Sequence, residues 1–225
     1  MTVADEAIDL GAPETLDVTA ALEEDIALGR LLPRERLVED ELIVRFGVKR
    51  HVVRQALVDL EAMGIVVRQP NKGAMVKDFL PKEVEDLYTV RELLECKAAD
   101  LIALPVDPML VESLLAIHRR HVEAVERADF RVVFRENLRF HNTLYASCGN
   151  QALAQAIAQF ADKTHSIRSY TIGDATLLNR AWHEHAAIIE ALRSGDRDLL
   201  KRLVVEHLQP AMKAYLERTR YLHKR

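Results

Sequence analysis

Two helical patterns meet at Phe46-Gly47-Val48, and this short corner constrains the rest of the chain more than any other feature. The first pattern runs over roughly Glu39–Phe46, with Leu42, Ile43 and Phe46 as its apolar face. The second starts near Lys49 and ends at Gly64, with Val53, Ala56, Leu57, Leu60 and Met63 at helical spacing. Glycine accepts the backbone angles that a tight helix-helix corner needs, and Val48 is placed to plug the angle between the two helices. A short β-type run follows, Ile65 to Gln69. Pro70-Asn71-Lys72-Gly73 then signals a turn, and Ala74-Met75-Val76 returns as a second strand.

The outer face of the second helix opens with Lys49, Arg50, His51, Arg54 and Gln55, all long donors with no acid among them. Such a helix can enter a DNA major groove by its N-terminal end. Arginine can bridge guanine O6 and N7, and glutamine can bridge adenine N6 and N7. A hairpin with Lys72 at its tip is a wing able to touch phosphate or the minor groove. From Arg45 to Lys77 there are seven Lys/Arg against two acids, a local charge of +5 in a chain whose net charge is −4. A basic island in an acidic protein is the footprint of a polyanion partner. Helix-turn-helix corners also occur as plain structural units, and basic faces are often only solvated. The basic helix end and the basic-tipped wing together favour double-stranded DNA.

With those residues in view, positions 16–77 resemble the winged-helix domain of the GntR family of bacterial transcription regulators. The resemblance rests on Ile26 and Gly29, Leu32-Pro33, Leu37 with Glu39 and Leu42, and Phe46-Gly47-Val48. It continues through Arg50, Val53-Arg54, Ala56-Leu57, Leu60, Gly64-Ile65-Val66 and Lys72-Gly73-Ala74. It implies that Arg50 and Arg54 are the main DNA contacts, with Arg34, Arg36 and Lys72 as candidates for the backbone. The family commonly has Ser before the first of these arginines and a small residue after it; this chain has Lys49 and His51.

The remainder reads as helix. Residues 1–14 are expected to be a mobile acidic arm, 15–78 the winged-helix domain, and 82–222 an all-helical effector-binding and dimerisation domain. One helix is expected over about Leu16–Leu28, with Ala20, Ile26 and the leucines as its apolar side. Beyond the linker Asp78–Pro81 no strand signal appears. Helices are expected over roughly 82–104, 108–127, 130–148, 151–170, 173–194 and 197–222, with Gly or Pro at most of the breaks. Short connections make successive helices antiparallel neighbours in a bundle. The fold class is therefore mainly α. An apolar fraction of 49 % supports a sizeable core. Cys96 and Cys148 are isolated and fit a reducing compartment, and no run is long and apolar enough for a membrane span, so a soluble cytoplasmic protein is expected.

Three features suggest a polar pocket in the bundle. Asn137 and His141 are four apart and share a helix face. His185 and His207 lie at distances of about 15 and 18 Å from the corner at Gly195, at 1.5 Å rise per residue, so they stand nearly level on an antiparallel pair. Three imidazoles and one amide oxygen could then meet between helices, a donor set suited to zinc, nickel or a similar divalent ion. His118, His121, His183 and His223 read as surface or local residues. Second, Arg91 falls on the apolar stripe Val84, Leu87, Leu94, Ala98 and Leu101. A cation there needs a partner, either Glu95 one turn on or a carboxylate ligand held in the guanidinium fork. Third, Arg139 with Asn142, and Asn179-Arg180, are weaker candidates for pocket polar groups.

Residues 82–218 resemble the FCD ligand-binding domain of FadR-like members of the same family. The carrying motifs are Arg91 within Tyr88 to Glu95, Asn137 to His141 followed by Gly149-Asn150, Glu184-His185 with Ile188-Ile189, Gly195-Asp196, and His207-Leu208. Many such domains hold a divalent metal through an acid and three histidines. The resemblance implies His141, His185 and His207 as those three, with Asn137 where the family often has Asp. It also favours Arg91, with Arg139, for a small organic-acid effector.

The expectation is thus a homodimeric transcription regulator, of repressor type, that binds an operator and senses a small carboxylate. A metal-dependent hydrolase or isomerase with an accessory helix-turn-helix is the alternative. Against it, the chain has no HExxH pair, no nucleophile elbow and no obvious general base beside the cluster. A purely architectural DNA-binding protein would have little use for a polar bundle interior.

Overall fold

The computed structural model describes residues 17–69, 73–168 and 170–220. The expected acidic arm, the wing tip with Lys72, and His223 lie outside these residues. The N-terminal unit contains α1 (Val18–Ala27), β1 (Arg36–Leu37), α2 (Glu39–Phe46), α3 (Arg50–Ala62), β2 (Val66–Gln69) and β3 (Gly73–Val76). Helices α2 and α3 turn about Gly47, whose φ of 64° is the left-handed conformation that a Cβ disfavours. Val48 is half-buried and packs on the core, as its position at the corner suggested. From α3, Val53, Ala56, Leu57 and Leu60 are buried against Leu22 and Ile26 of α1 and Leu42 of α2. Truncating Leu60, which is fully buried, would cost about 2–5 kcal/mol. Ala20, expected on the apolar side of α1, is exposed; Val18, Leu22 and Ile26 form that side.

The wing gains a strand that the sequence did not suggest. β1 pairs antiparallel with β3, Arg36 opposite Met75 and Leu37 opposite Ala74, giving the order β1-β3-β2. A strand of two residues carries no periodicity; the free edge of β3 creates it. Arg34, just before it, has a φ of 70° and donates from Nε to Asp78 Oδ2 at 2.6 Å.

The second unit is all helical among the described residues: α4 (Pro81–Leu101), α5 (Pro108–Glu126), α6 (Phe130–Ala146), α7 (Gln151–Asp162), α8 (His165–Arg168), α9 (Ala175–Ser194) and α10 (Arg197–Thr219). Asp107, Asp129, Asn150, Asp174 and Asp196 each cap the helix that follows with a side-chain oxygen. The core joins Ala98 and Ile102 of α4, Leu114 of α5, Phe140 and Leu144 of α6, Ile188 and Leu192 of α9, and Leu200 and Val204 of α10. Leu101, expected on the α4 stripe, is exposed, and Glu95 and Ala99 are buried instead. The helix expected over 151–170 is broken at Lys163-Thr164, where the Thr164 hydroxyl donates to Ala161 O at 2.7 Å and accepts from Arg91 NH1 at 3.1 Å. That break releases α8 to lie between the two units.

The units meet along α1. Glu24, 4 % exposed, pairs with Arg131 and Arg135 of α6 at 2.5 and 3.0 Å. At the linker, the buried Tyr215 of α10 donates its hydroxyl to Phe79 O at 2.8 Å and accepts from Phe79 N at 3.3 Å.

Candidate functional site

Two regions carry the chemistry. On the winged-helix unit, Lys49, Arg50, His51, Arg54 and Gln55 are all exposed along the first turns of α3. The acids of α2 face them across the corner. Arg50 NH2 donates to Asp40 Oδ1 at 2.6 Å and NH1 to Glu39 Oε2 at 3.3 Å. Arg54 Nε donates to the same Glu39 oxygen at 3.0 Å. Gln55 Nε2 donates to Asp59 Oδ1 at 2.8 Å. The hydrogen bond and charge of Asp40 hold the exposed Arg50 guanidinium above its ordinary value. Arg36 is exposed on β1, whereas Arg34 is engaged with Asp78 beside the linker.

In the helical unit, α6, α9 and α10 bring His141, His185 and His207 together, with one ring nitrogen from each inside a span of 4.8 Å. His207 Nε2 and His141 Nε2 are 3.2 Å apart. His207 Nδ1 lies 2.7 Å from Glu184 Oε2. With the proton on Nδ1 donated to that carboxylate, Nε2 presents a lone pair to the other rings, the arrangement that orients a metal-binding histidine. Burial pushes the Glu184 carboxyl up, but its contacts with His207 and Arg180 outweigh this and leave it below the usual range.

His185 is fully buried, and its ring stacks on Phe140 at 4.0 Å between centroids. Among the described residues neither of its nitrogens has a hydrogen-bond partner, nor does His141 Nδ1. Burial, with the charge of His207 next, holds both His141 and His185 well below the usual imidazole value. They are neutral at pH 7. Two ligands at about 2.05 Å in a tetrahedral shell stand about 3.3 Å apart, close to the observed Nε2–Nε2 separation. Neutral rings, orphaned buried nitrogens and this spacing fit a divalent metal.

The cavity beside the rings offers roughly 640 Å³ of empty space, part of it open to solvent. Its polar end is Asn137, Arg168, His207 and His121, and Val133, Phe134, Leu178 and Ala211 are among its apolar walls. Arg168 is the residue that sequence reasoning missed. Among the described residues no carboxylate lies within ion-pair distance of its guanidinium. Burial, then the charge of Arg91, lowers it to about 10. It remains a cation at neutral pH. Asn137, buried, sets its amide against Arg168; with the amide oriented so that its oxygen faces the guanidinium, it accepts at 3.2 Å. The amide satisfies hydrogen bonds without cancelling the charge.

The arginines expected in the pocket stand elsewhere. Arg91 is buried, donates from Nε to Glu95 Oε1 at 2.9 Å and lies 2.8 Å from it through NH2. Tyr145 donates to the other Glu95 oxygen at 2.5 Å. Burial lowers the Arg91 guanidinium, but Glu95, Tyr88 and Tyr145 together more than offset this and leave it raised. Of the two readings of Arg91, the ion pair with Glu95 is the one present in the structure. Arg139 is exposed and pairs with Glu136 at 3.0 Å, outside the cavity lining. His121, expected at the surface, is 2 % exposed and lines the cavity, its ring 5.2 Å from that of His185. Burial, followed by the charges of His118 and His207, lowers it to about 4. Its signal was visible: it continues the buried stripe Val111, Leu114, Ile117 and precedes Ala124 by three residues.

Comparisons agree with this architecture. Residues 14–76 match the family described as "Bacterial regulatory proteins, gntR family", and residues 86–210 match the FCD domain. A Bacillus subtilis (strain 168) protein, "Uncharacterized HTH-type transcriptional regulator YdhC", is 26 % identical over 205 residues, 89 % of this chain and 90 % of that one. The Escherichia coli (strain K12) "HTH-type transcriptional repressor RspR" is 25 % identical over 201 residues, covering 88 % and 86 %. The solved structure of E. coli McbR/YncC shares the fold, with a TM-score of 0.78 at 20 % identity over 92 % of this chain and 99 % of its own.

Proposed function

The chain belongs to the gntR family of bacterial regulatory proteins and carries an FCD domain, and on that premise we propose a repressor whose operator binding is controlled by a small carboxylate seated beside a divalent metal. It is a DNA-binding transcription regulator and not an enzyme, in keeping with its family and its relatives. The observation that carries the effector reading is the placing of the His141, His185 and His207 cluster beside a cavity lined by the half-buried Arg168, which has no carboxylate within ion-pair distance among the described residues.

In this reading His141, His185 and His207 hold the metal, with Asn137 as a neutral neighbour. When bound, the metal supplies a Lewis-acidic anchor for a carboxylate oxygen. Arg168 offers two N–H donors to the same carboxylate, and charge-assisted bonds of this kind are about twice as strong as neutral ones. The apolar walls exclude water and favour an acid with a small hydrophobic body. Glu184 keeps His207 in the tautomer that presents Nε2.

On DNA, Arg50 and Arg54 exchange their α2 acids for base edges and phosphate, and Lys49, His51 and Gln55 flank them. A homodimer places two such helices on an operator palindrome. Exposed Leu93 and Leu101 of α4 offer an apolar face for it. The effector then acts by favouring one arrangement of the two units, and DNA must oppose it by the same factor.

The test is elemental analysis of untagged protein together with a thermal-shift screen of small carboxylates. The expected result is one metal per chain at this site, lost in His185→Ala, and an acid that stabilises the parent and releases the operator. Equal metal in parent and variant would remove the site.

A further inference from the structure

We propose that Glu23, Asp162 and His165 form a second divalent-cation site, on the seam between the winged-helix and helical units. Glu23 projects from α1, Asp162 ends α7 and His165 begins α8. One ligand atom from each falls within 4.8 Å of the others. His165 is 1 % exposed, and its edge-on neighbour is Phe134, 5.2 Å away between centroids.

The contacts are close without being hydrogen bonds. His165 Nδ1 stands 2.9 Å from Glu23 Oε1, and Nε2 stands 3.8 Å from Asp162 Oδ1. Neither nitrogen meets the geometry of a hydrogen bond to any described group. A separation of 2.9 Å with poor hydrogen-bond geometry is close to that of adjacent ligands in an octahedral shell, about 3.0 Å for bonds of about 2.1 Å. Two carboxylates converge here, half-buried, with the side chains of Glu23 and Asp162 16 % and 34 % exposed. Burial pushes the Asp162 carboxyl up, and Glu23 adds to this against the opposing effect of His165. Two arginines of the seam, Arg131 and Arg135, are engaged by Glu24, and Arg91, whose charge also acts on Asp162, is paired with Glu95. A cation satisfies both acids and the imidazole at once. Two oxygens and one nitrogen suit manganese or zinc, with water completing the shell on the open side of Asp162.

Such an ion would tie α1 to the start of α8, whose last residue is Arg168. It would join the DNA-binding unit to the same short helix that reaches the effector cavity.

The site is separable from the histidine cluster by using full-length protein stripped with a chelator and titrated with Mn²⁺, bound metal being counted by electron paramagnetic resonance. In a His185→Ala background one Mn²⁺ per chain is expected, with a rise in melting temperature; adding Asp162→Asn or Glu23→Gln should abolish both. In the parent, Asp162→Asn alone should remove one equivalent, a comparison that stands even if His185→Ala does not fold. Retention of that equivalent in Asp162→Asn, or no binding in the His185→Ala protein, would overturn the proposal and leave His165 as a buried ring beside two carboxylates. Loss of metal in Asp162→Asn with no effect of His185→Ala would uphold this site while refuting the effector-site metal.

Discussion

The arginines of α3 and the arginine at the end of α8 meet opposite electrostatic conditions. Arg50 and Arg54 are exposed, and neighbouring acids on α2 already answer their charge. Arg168 is half-buried at the cavity and, among the described residues, has the Asn137 amide beside it but no carboxylate within ion-pair distance. Surface ion pairs are worth little, about 0–1 kcal/mol, so the first set can change partners at small cost. A buried cation without an anion carries a desolvation cost that a ligand can relieve. On the proposed reading, the α3 surface is built for exchange of partners, and the cavity for one missing negative charge.

That contrast is open to direct attack. The largest effect should come from Arg168→Met, which is expected to weaken binding of the stabilising acid by roughly 10- to 150-fold, the range for hydrogen bonds to a charged group. Calorimetric titration of variant and parent would measure it, and unchanged affinity would show that Arg168 does not face the ligand. Asn137→Asp should reproduce part of the loss, because an internal carboxylate would then occupy the guanidinium. Next, Arg54→Ala is expected to cost about 1–3 kcal/mol of specific operator binding and to relax preference at one base pair. A set of single-base operator variants in a gel-shift series would reveal it. An equal loss on every sequence would reassign Arg54 to phosphate.

A smaller effect concerns acid. His121 titrates near 4 in the fold, against 6.5 ordinarily, and His141 and His185 are lowered as well. Below pH 6.5 the unfolded chain takes up protons that the folded chain refuses. Stability is thus full above that value and falls as pH drops toward the folded pKa. For His121 alone the loss from pH 6.5 to 5.5 is about 1 kcal/mol. Denaturant midpoints of metal-free parent and His121→Gln at the two pH values should differ in slope by that amount. The smallest change belongs to Glu39→Gln, which should shift folding stability by less than about 1 kcal/mol. It should leave operator binding intact or slightly tighter. A large loss of stability would mean that the α2 acids are structural and not exchangeable.

The winged helix was legible because several local signals agree there. Gly47 and Gly64 mark the helix ends, α3 has one clean apolar stripe, and the outward face repeats long donors. The three histidines were legible for a related reason: Gly195 fixes the corner from which His185 and His207 are counted. Arg168 was not, since it follows a break caused by packing of Thr164 and not by any Gly or Pro. Arg91 shows the converse. Its place on a buried stripe was readable, but whether Glu95 or a ligand answers it depends on Tyr145 and Thr164 arriving from distant helices.

The clasp of Tyr215 on Phe79 bears on how the protein finds its operator. A flexible tether between the units would let the proposed DNA-reading helix wander, and binding would then have to suppress that motion. Here the tether is gripped on both its N–H and its carbonyl by one buried hydroxyl. The ordering entropy has been met during folding, so little is left to lose at the DNA. Tyr215→Phe keeps the ring and removes the grip. The same contacts with DNA would then be made by a looser body, and the penalty would fall on the entropy of operator binding, not its enthalpy.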